Sequence, residues 1–116
     1  MEAAIMDGAR RAARAFLERR DFEVLEEGWA HGGERVDLIA REDGDMVFVD
    51  VVADDRGPDM PEERPDRGRF ERLAAAYLAE HPDGGDFQVR YDVVSILVVN
   101  GDRALLRHHR TALGML

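Results

Sequence analysis

The sequence predicts one α/β domain over residues 1–116, a central mixed sheet flanked by helices, in the order α-β-β-β-α-β-β. Three observations carry that expectation. Two stretches with apolar residues at helical spacing bracket and interrupt a set of strand-like segments. One of those segments, 46–53, is apolar almost throughout, as a strand covered on both faces must be. Finally, a chain of 116 residues can bury roughly 65% of its unfolded surface, enough for one core without disulfide staples.

The elements follow in order. In residues 3–20, Ile5, Ala9, Ala12, Ala13, Phe16 and Leu17 form an apolar stripe opposite a row of arginines, which predicts an amphipathic helix. Residues 21–25 alternate apolar with acidic and read as a short strand. Gly28, Gly32 and Gly33 predict a loose turn around Trp29 and His31. A second strand is expected at 36–40, then a turn with the Asp43-Gly44 hairpin signal, then the third strand at 46–53. Residues 54–66 hold three of the four prolines and predict a loop. A second helix is expected over 66–80, burying Phe70, Leu73, Ala74, Tyr77 and Leu78 and stopping at His81-Pro82. A long strand over 87–99 leads through Asn100-Gly101, a type I′ hairpin signal, to a short strand at 104–107. Residues 110–116 are expected to close a last helical turn.

Composition narrows the function. Apolar residues at 45% and charged residues at 35% describe a soluble folded chain. With no cysteine, thiol catalysis and thiolate metal sites are excluded. No apolar run approaches a membrane span and the N-terminus does not read as a secretory signal, so a cytoplasmic protein without membrane contact is expected. Acidic residues outnumber basic ones 25 to 16, for a net charge of −9. A protein of that sign binds nucleic acid only through a local patch or a bridging metal. All sixteen basic residues are arginine, which closes every mechanism that needs a lysine nucleophile or base.

Asp37 and Asp50 are the most informative acids, because each lies inside an otherwise apolar strand. A carboxylate there costs several kcal/mol unless it is paired, hydrogen-bonded or bound to a cation. On adjacent antiparallel strands the two could share a hard cation such as Mg2+, or they could sit at strand ends and meet solvent. His108-His109 is a weak metal pair, since neighbours on an extended chain point to opposite faces. Arg90 and Asp92 share a face and are expected to form an architectural ion pair. Trp29 either stacks on a base or covers an edge of the core.

Gly33-Glu34-Arg35-Val36-Asp37-Leu38-Ile39-Ala40, Val47-Phe48-Val49-Asp50-Val51-Val52, Ala76-Tyr77-Leu78 and Val89-Arg90-Tyr91-Asp92-Val93-Val94 together resemble the YraN family. The family's patterns are a GEIDLIA-type strand, a VFVEVK-type strand, a helix ending in A-x-Y-L and an R-F-D-V-V strand, and the likeness covers nearly the whole chain in order. It implies a restriction-endonuclease-like fold related to Holliday-junction resolvases, with a PD-(D/E)xK site. Asp37 then takes the place of the family's first metal-binding aspartate, and Asp50 that of its second acid, usually glutamate. Val52 stands where the family has lysine, and Arg10 where it has a helix glutamate. The GEID glutamate falls on Arg35, unless a one-residue bulge brings Glu34 into its place. Loss of the lysine removes a contact worth about 3–4 kcal/mol of transition-state stabilisation.

The resemblance thus implies a degraded site with Asp37 and Asp50 as vestigial catalytic and metal residues, joined by Glu34 if the bulge forms. Mg2+ or Mn2+ is implied as cofactor if the site is active, and none otherwise. The expected function is nucleic-acid-associated, with nuclease activity lost or weakened, so whether the chain is an enzyme stays open. The alternatives are a metal-dependent endonuclease on branched or single-stranded DNA and a homodimeric protein-interaction module. Arg10, Arg11, Arg14, Arg56, Arg67, Arg69 and Arg72 are the candidate phosphate contacts, against the plainer reading that they pair with nearby carboxylates.

Overall fold

The computed structural model describes residues 3–55, 59–82, 87–100 and 103–114. Helix α1 (Ala3–Arg19) is followed by strands β1 (Glu23–His31), β2 (Glu34–Glu42) and β3 (Asp45–Asp54), helix α2 (Arg67–Glu80), and strands β4 (Val89–Asn100) and β5 (Arg103–His109). The strands lie side by side in chain order, β1-β2-β3-β4-β5. Neighbours are antiparallel except β3 and β4, which are parallel and linked by the crossover that contains α2. The order α-β-β-β-α-β-β and the mixed sheet are those the sequence predicts.

Each face of the sheet buries one helix. Ala9, Ala13 and Leu17, four residues apart on α1, pack against Leu38, Ala40, Val47, Val49, Val51, Val94 and Ile96. Phe70, Leu73, Ala74 and Tyr77 of α2 pack on the opposite face against Val36, Ile39, Met46, Phe48, Tyr91 and Val93. The central strands β3 and β4 are therefore covered on both sides, which is why β3 and the later part of β4 read as largely apolar runs. Leu78, placed in the buried stripe by spacing, is only half-buried. Asp66 caps α2: its Oδ1 accepts from the Arg69 backbone N–H at 3.1 Å, satisfying one of the helix's orphan donors.

Three sequence expectations need correction. The segment read as a short strand and a loose turn is one nine-residue strand, β1, and the turn is confined to Gly32-Gly33, with His31 paired to Glu34. A register shift between Val24 and Glu26 breaks the alternation that pattern reading relies on, so the strand was cut short. Trp29 accordingly sits on β1 and meets Tyr77 edge-on at 5.1 Å, covering the edge of the α2-side core. Strand β5 extends through His108 and His109, beyond the expected 104–107. Residues 110–113 form a turn rather than a helical one, held by the Ala112 N–H donating to the Tyr91 carbonyl at 2.7 Å.

The β2–β3 hairpin behaves as expected. Asp43 (φ 49°) and Gly44 (φ 85°) both take the left-handed conformation that a type I′ turn requires. Asn100 pairs with Arg103 after a register shift, so it ends β4 as a paired residue; Gly101, the other half of the expected turn signal, lies outside the described residues. No helix among the described residues is long and apolar enough to cross a membrane.

Candidate functional site

Asp37 lies where strands β2 and β3 part. Their last backbone pair is Leu38 with Val49, so Asp37 and Asp50 stand opposite one another one step further on. Alternation breaks at this point. Leu38 and Ala40 face α1 while Val36 and Ile39 face α2, so the chain turns over at Asp37. The Asp37 carboxylate replaces the missing ladder bond, its Oδ2 accepting from the Val51 N–H at 2.7 Å. Its other oxygen accepts from Arg10 Nε of α1 at 2.8 Å, and Arg10 also reaches Asp7 at 3.1 Å. The Asp37 side chain is 13% exposed.

Asp50 is held from the other face. Both its oxygens accept from the Arg69 guanidinium, at 2.6 and 3.0 Å, and the Tyr91 hydroxyl donates to Oδ2 at 2.7 Å. Arg69 stands in the first turn of α2, which Asp66 fixes by its cap, and its guanidinium also donates to the Arg35 carbonyl. The Asp50 contact raises the pKa of Arg69 above its already high ordinary value. Burial, then the nearby Asp50 charge, pushes the Tyr91 hydroxyl far above the usual phenol range, so it remains a donor. Tyrosine at 91 supplies a hydroxyl that the phenylalanine of the YraN pattern lacks.

A divalent cation such as Mg2+ needs several oxygens converging at about 2.0–2.6 Å. Asp37 and Asp50 instead receive guanidinium groups from helices on opposite faces of the sheet, and an N–H and an O–H donor from the strands β3 and β4. Glu34 does not join them. Arg72 grips both its oxygens at 2.8 Å, and this contact holds the Glu34 carboxyl below the usual range. Among the described residues no three acidic or histidine side chains are grouped to hold a metal ion. The residues present do not fit a shared divalent cation.

Of the remaining candidate arginines, Arg14, Arg67 and Arg72 are spent on separate partners. Arg14 pairs with Glu18 at 3.3 Å and Glu27 at 2.8 Å. Arg67 donates to the Leu113 carbonyl, Arg72 is bound to Glu34, and Arg11 is exposed on α1. Arg56 lies outside the described residues.

Sequence reading saw only part of a second charged cluster. Asp92 of β4 is fully buried and accepts from Arg90 at 3.1 and 3.2 Å, His108 Nε2 at 2.8 Å and the Thr111 N–H at 2.9 Å. Burial would raise its pKa, but these hydrogen bonds win and hold it below the usual range. Arg90 goes on to Glu42 and Asp45, and Arg110 also binds Glu42. The Arg90–Asp92 pair is the architectural one expected, with His108 as the member pattern reading left out. His109 points elsewhere, to Glu63 at 2.7 Å, as opposite faces require.

The fold and these positions define an α/β protein of the class the YraN resemblance implies. The chain belongs to the UPF0102 family, the YraN family: a model of "Uncharacterised protein family UPF0102" matches residues 9–96. It is 42% identical over 95 residues to a UPF0102 protein of Roseiflexus castenholzii, covering 78% of this chain and 76% of that one. A Beutenbergia cavernae UPF0102 protein is 36% identical over 104 residues, covering 86% and 87%. One from Nocardia farcinica is 37% identical over 105 residues, covering 87% and 81%.

Proposed function

We propose that this chain is a nucleic-acid-associated UPF0102 protein in which phosphodiester cleavage is lost or weakened. One observation carries the reading: each of the two acids at the metal positions is neutralised by an arginine of its own, Arg10 on Asp37 and Arg69 on Asp50. A site that supplies its own positive charge has no carboxylate pair left to concentrate a cation. Val52, in the lysine position, adds no group that could orient water or stabilise a phosphorane. What remains at this end of the sheet is arginine, whose planar fork matches phosphate oxygens.

The net charge of −9 makes long-range attraction to a polyanion unfavourable, so association rests on few contacts. Fluorescence anisotropy with labelled branched and single-stranded DNA at rising salt tests this. The expected result is weak binding whose log–log salt slope has a magnitude of about 2, for two or so neutralised phosphates, and no cleavage on adding Mg2+ or Mn2+. Binding absent even at low salt, or metal-dependent cutting abolished by Asp37→Asn, overturns the reading.

A further inference from the structure

We propose that the cavity between α1 and the β1–β2 hairpin is a phosphate-binding site in which Arg10, Arg11 and Arg35 hold the anion directly with their guanidinium groups. The inference rests on the nucleic-acid reading only for the ligand's source, a phosphate carried on a nucleic acid.

The cavity measures about 250 Å³ and has Asp37 in its wall beside the three arginines. At about 30 Å³ per water it holds several waters, so a tetrahedral oxyanion fits with part of its hydration. The carboxylates around it already have partners. Arg10 serves both Asp7 and Asp37, Asp37 also takes the Val51 N–H, and Glu27 is bound by Arg14. Arg10 commits two of its five N–H donors to those contacts. Arg11 on α1 and Arg35 on β2 are exposed residues that line the cavity from its two sides.

Gly28 shapes the floor. It has φ +63°, and a Cβ placed on it would come within 2.8 Å of an Arg35 terminal nitrogen. The Arg35 guanidinium lies against Gly28 at the cavity, and a Cβ there would have to push it aside. The two positions where the YraN pattern carries glutamates, Arg10 and Arg35, thus face one cavity as cations. Acids there would recruit a metal to meet phosphate, whereas arginines meet it themselves.

The test is calorimetric titration with inorganic phosphate and with a single-stranded oligonucleotide lacking terminal phosphates, on wild type, Arg35→Glu and Arg64→Glu. Arg64 is 84% exposed and pairs only with the exposed Glu62 among the described residues, so the two variants change net charge equally at different places. Circular dichroism confirms that both are folded. Arg35→Glu is expected to weaken both ligands about tenfold or more, the loss of one charge-assisted fork, and Arg64→Glu to leave them within about twofold. Equal effects of Arg35→Glu and Arg64→Glu, or no phosphate binding by wild type, overturn the site. Oligonucleotide binding that ignores Arg35 defeats the cavity but leaves the nucleic-acid reading standing. Arg35-dependent phosphate binding without oligonucleotide binding does the reverse.

Discussion

Two carboxylate–arginine clusters share one sheet and differ in how they are closed. Around Asp92, fully buried, the hydrogen-bond partners among the described residues are all donors, and the turn at 110–113 folds over the top. Around Asp37 and Asp50, 13% and 15% exposed, the same chemistry stands at the strand ends, and a cavity opens beside Asp37. A closed cluster of this kind fixes the path of β4, β5 and the terminal turn. An open one keeps cations within reach of a ligand. Arginine partners alone do not mark a site; what distinguishes the two is room for something else.

If the contrast holds, the largest effect on stability falls on the closed cluster. Asp92→Ala leaves His108 and the Thr111 N–H without their acceptor and Arg90 with Glu42 and Asp45 alone, and breaking such a buried network costs about 3–5 kcal/mol. Urea unfolding of the variant checks this, and a loss below about 1 kcal/mol would erase the contrast.

Acid sharpens it next. The folded-state pKa of Asp92 is depressed, and so is that of Glu42, where hydrogen bonds from Arg110 and Arg90 outweigh the burial that would raise it. Because the unfolded chain then binds more protons, stability is full above the ordinary carboxylate range and falls as pH drops through the depressed values, below about pH 4. Melting curves at stepped pH are expected to show that fall, with a shallower slope in Asp92→Asn than in wild type.

The smallest effect belongs to the open cluster. A double-mutant cycle between Arg10→Ala and Asp37→Asn is expected to give a coupling of about 1 kcal/mol, since Arg10 is 30% exposed and water screens the pair. A coupling as large as the Asp92 loss would make the site a structural element and not an open one.

Much of this was legible in the sequence, for definite reasons. The largely apolar runs of β3 and the later part of β4 and the Asp43-Gly44 turn are local signals, and these elements formed close to where the signals placed them; the Asp66 cap of α2 was not read. Strand β1 was legible only at its start, because an extra residue near Leu25 and the left-handed Gly28 disturb its alternation while leaving its pairing with β2 intact. Asp37 and Asp50 stood out as acids within apolar strands. Their partners did not, since Arg10 and Arg69 lie 27 and 19 residues away and meet them only once the helices dock on opposite faces. The Tyr91 hydroxyl carried a signal that could have been read: a polar tip within an apolar strand needs an acceptor.

The central claim is that Arg10 and Arg69 hold the charge positions a divalent ion would otherwise take. Calorimetric titration of wild type with Mn2+, beside an Asp37→Asn/Asp50→Asn double variant, addresses it most directly. The account predicts no saturable binding at millimolar metal in either protein. A wild-type isotherm that disappears in the double variant would contradict it, showing that the carboxylates release their arginines for a cation.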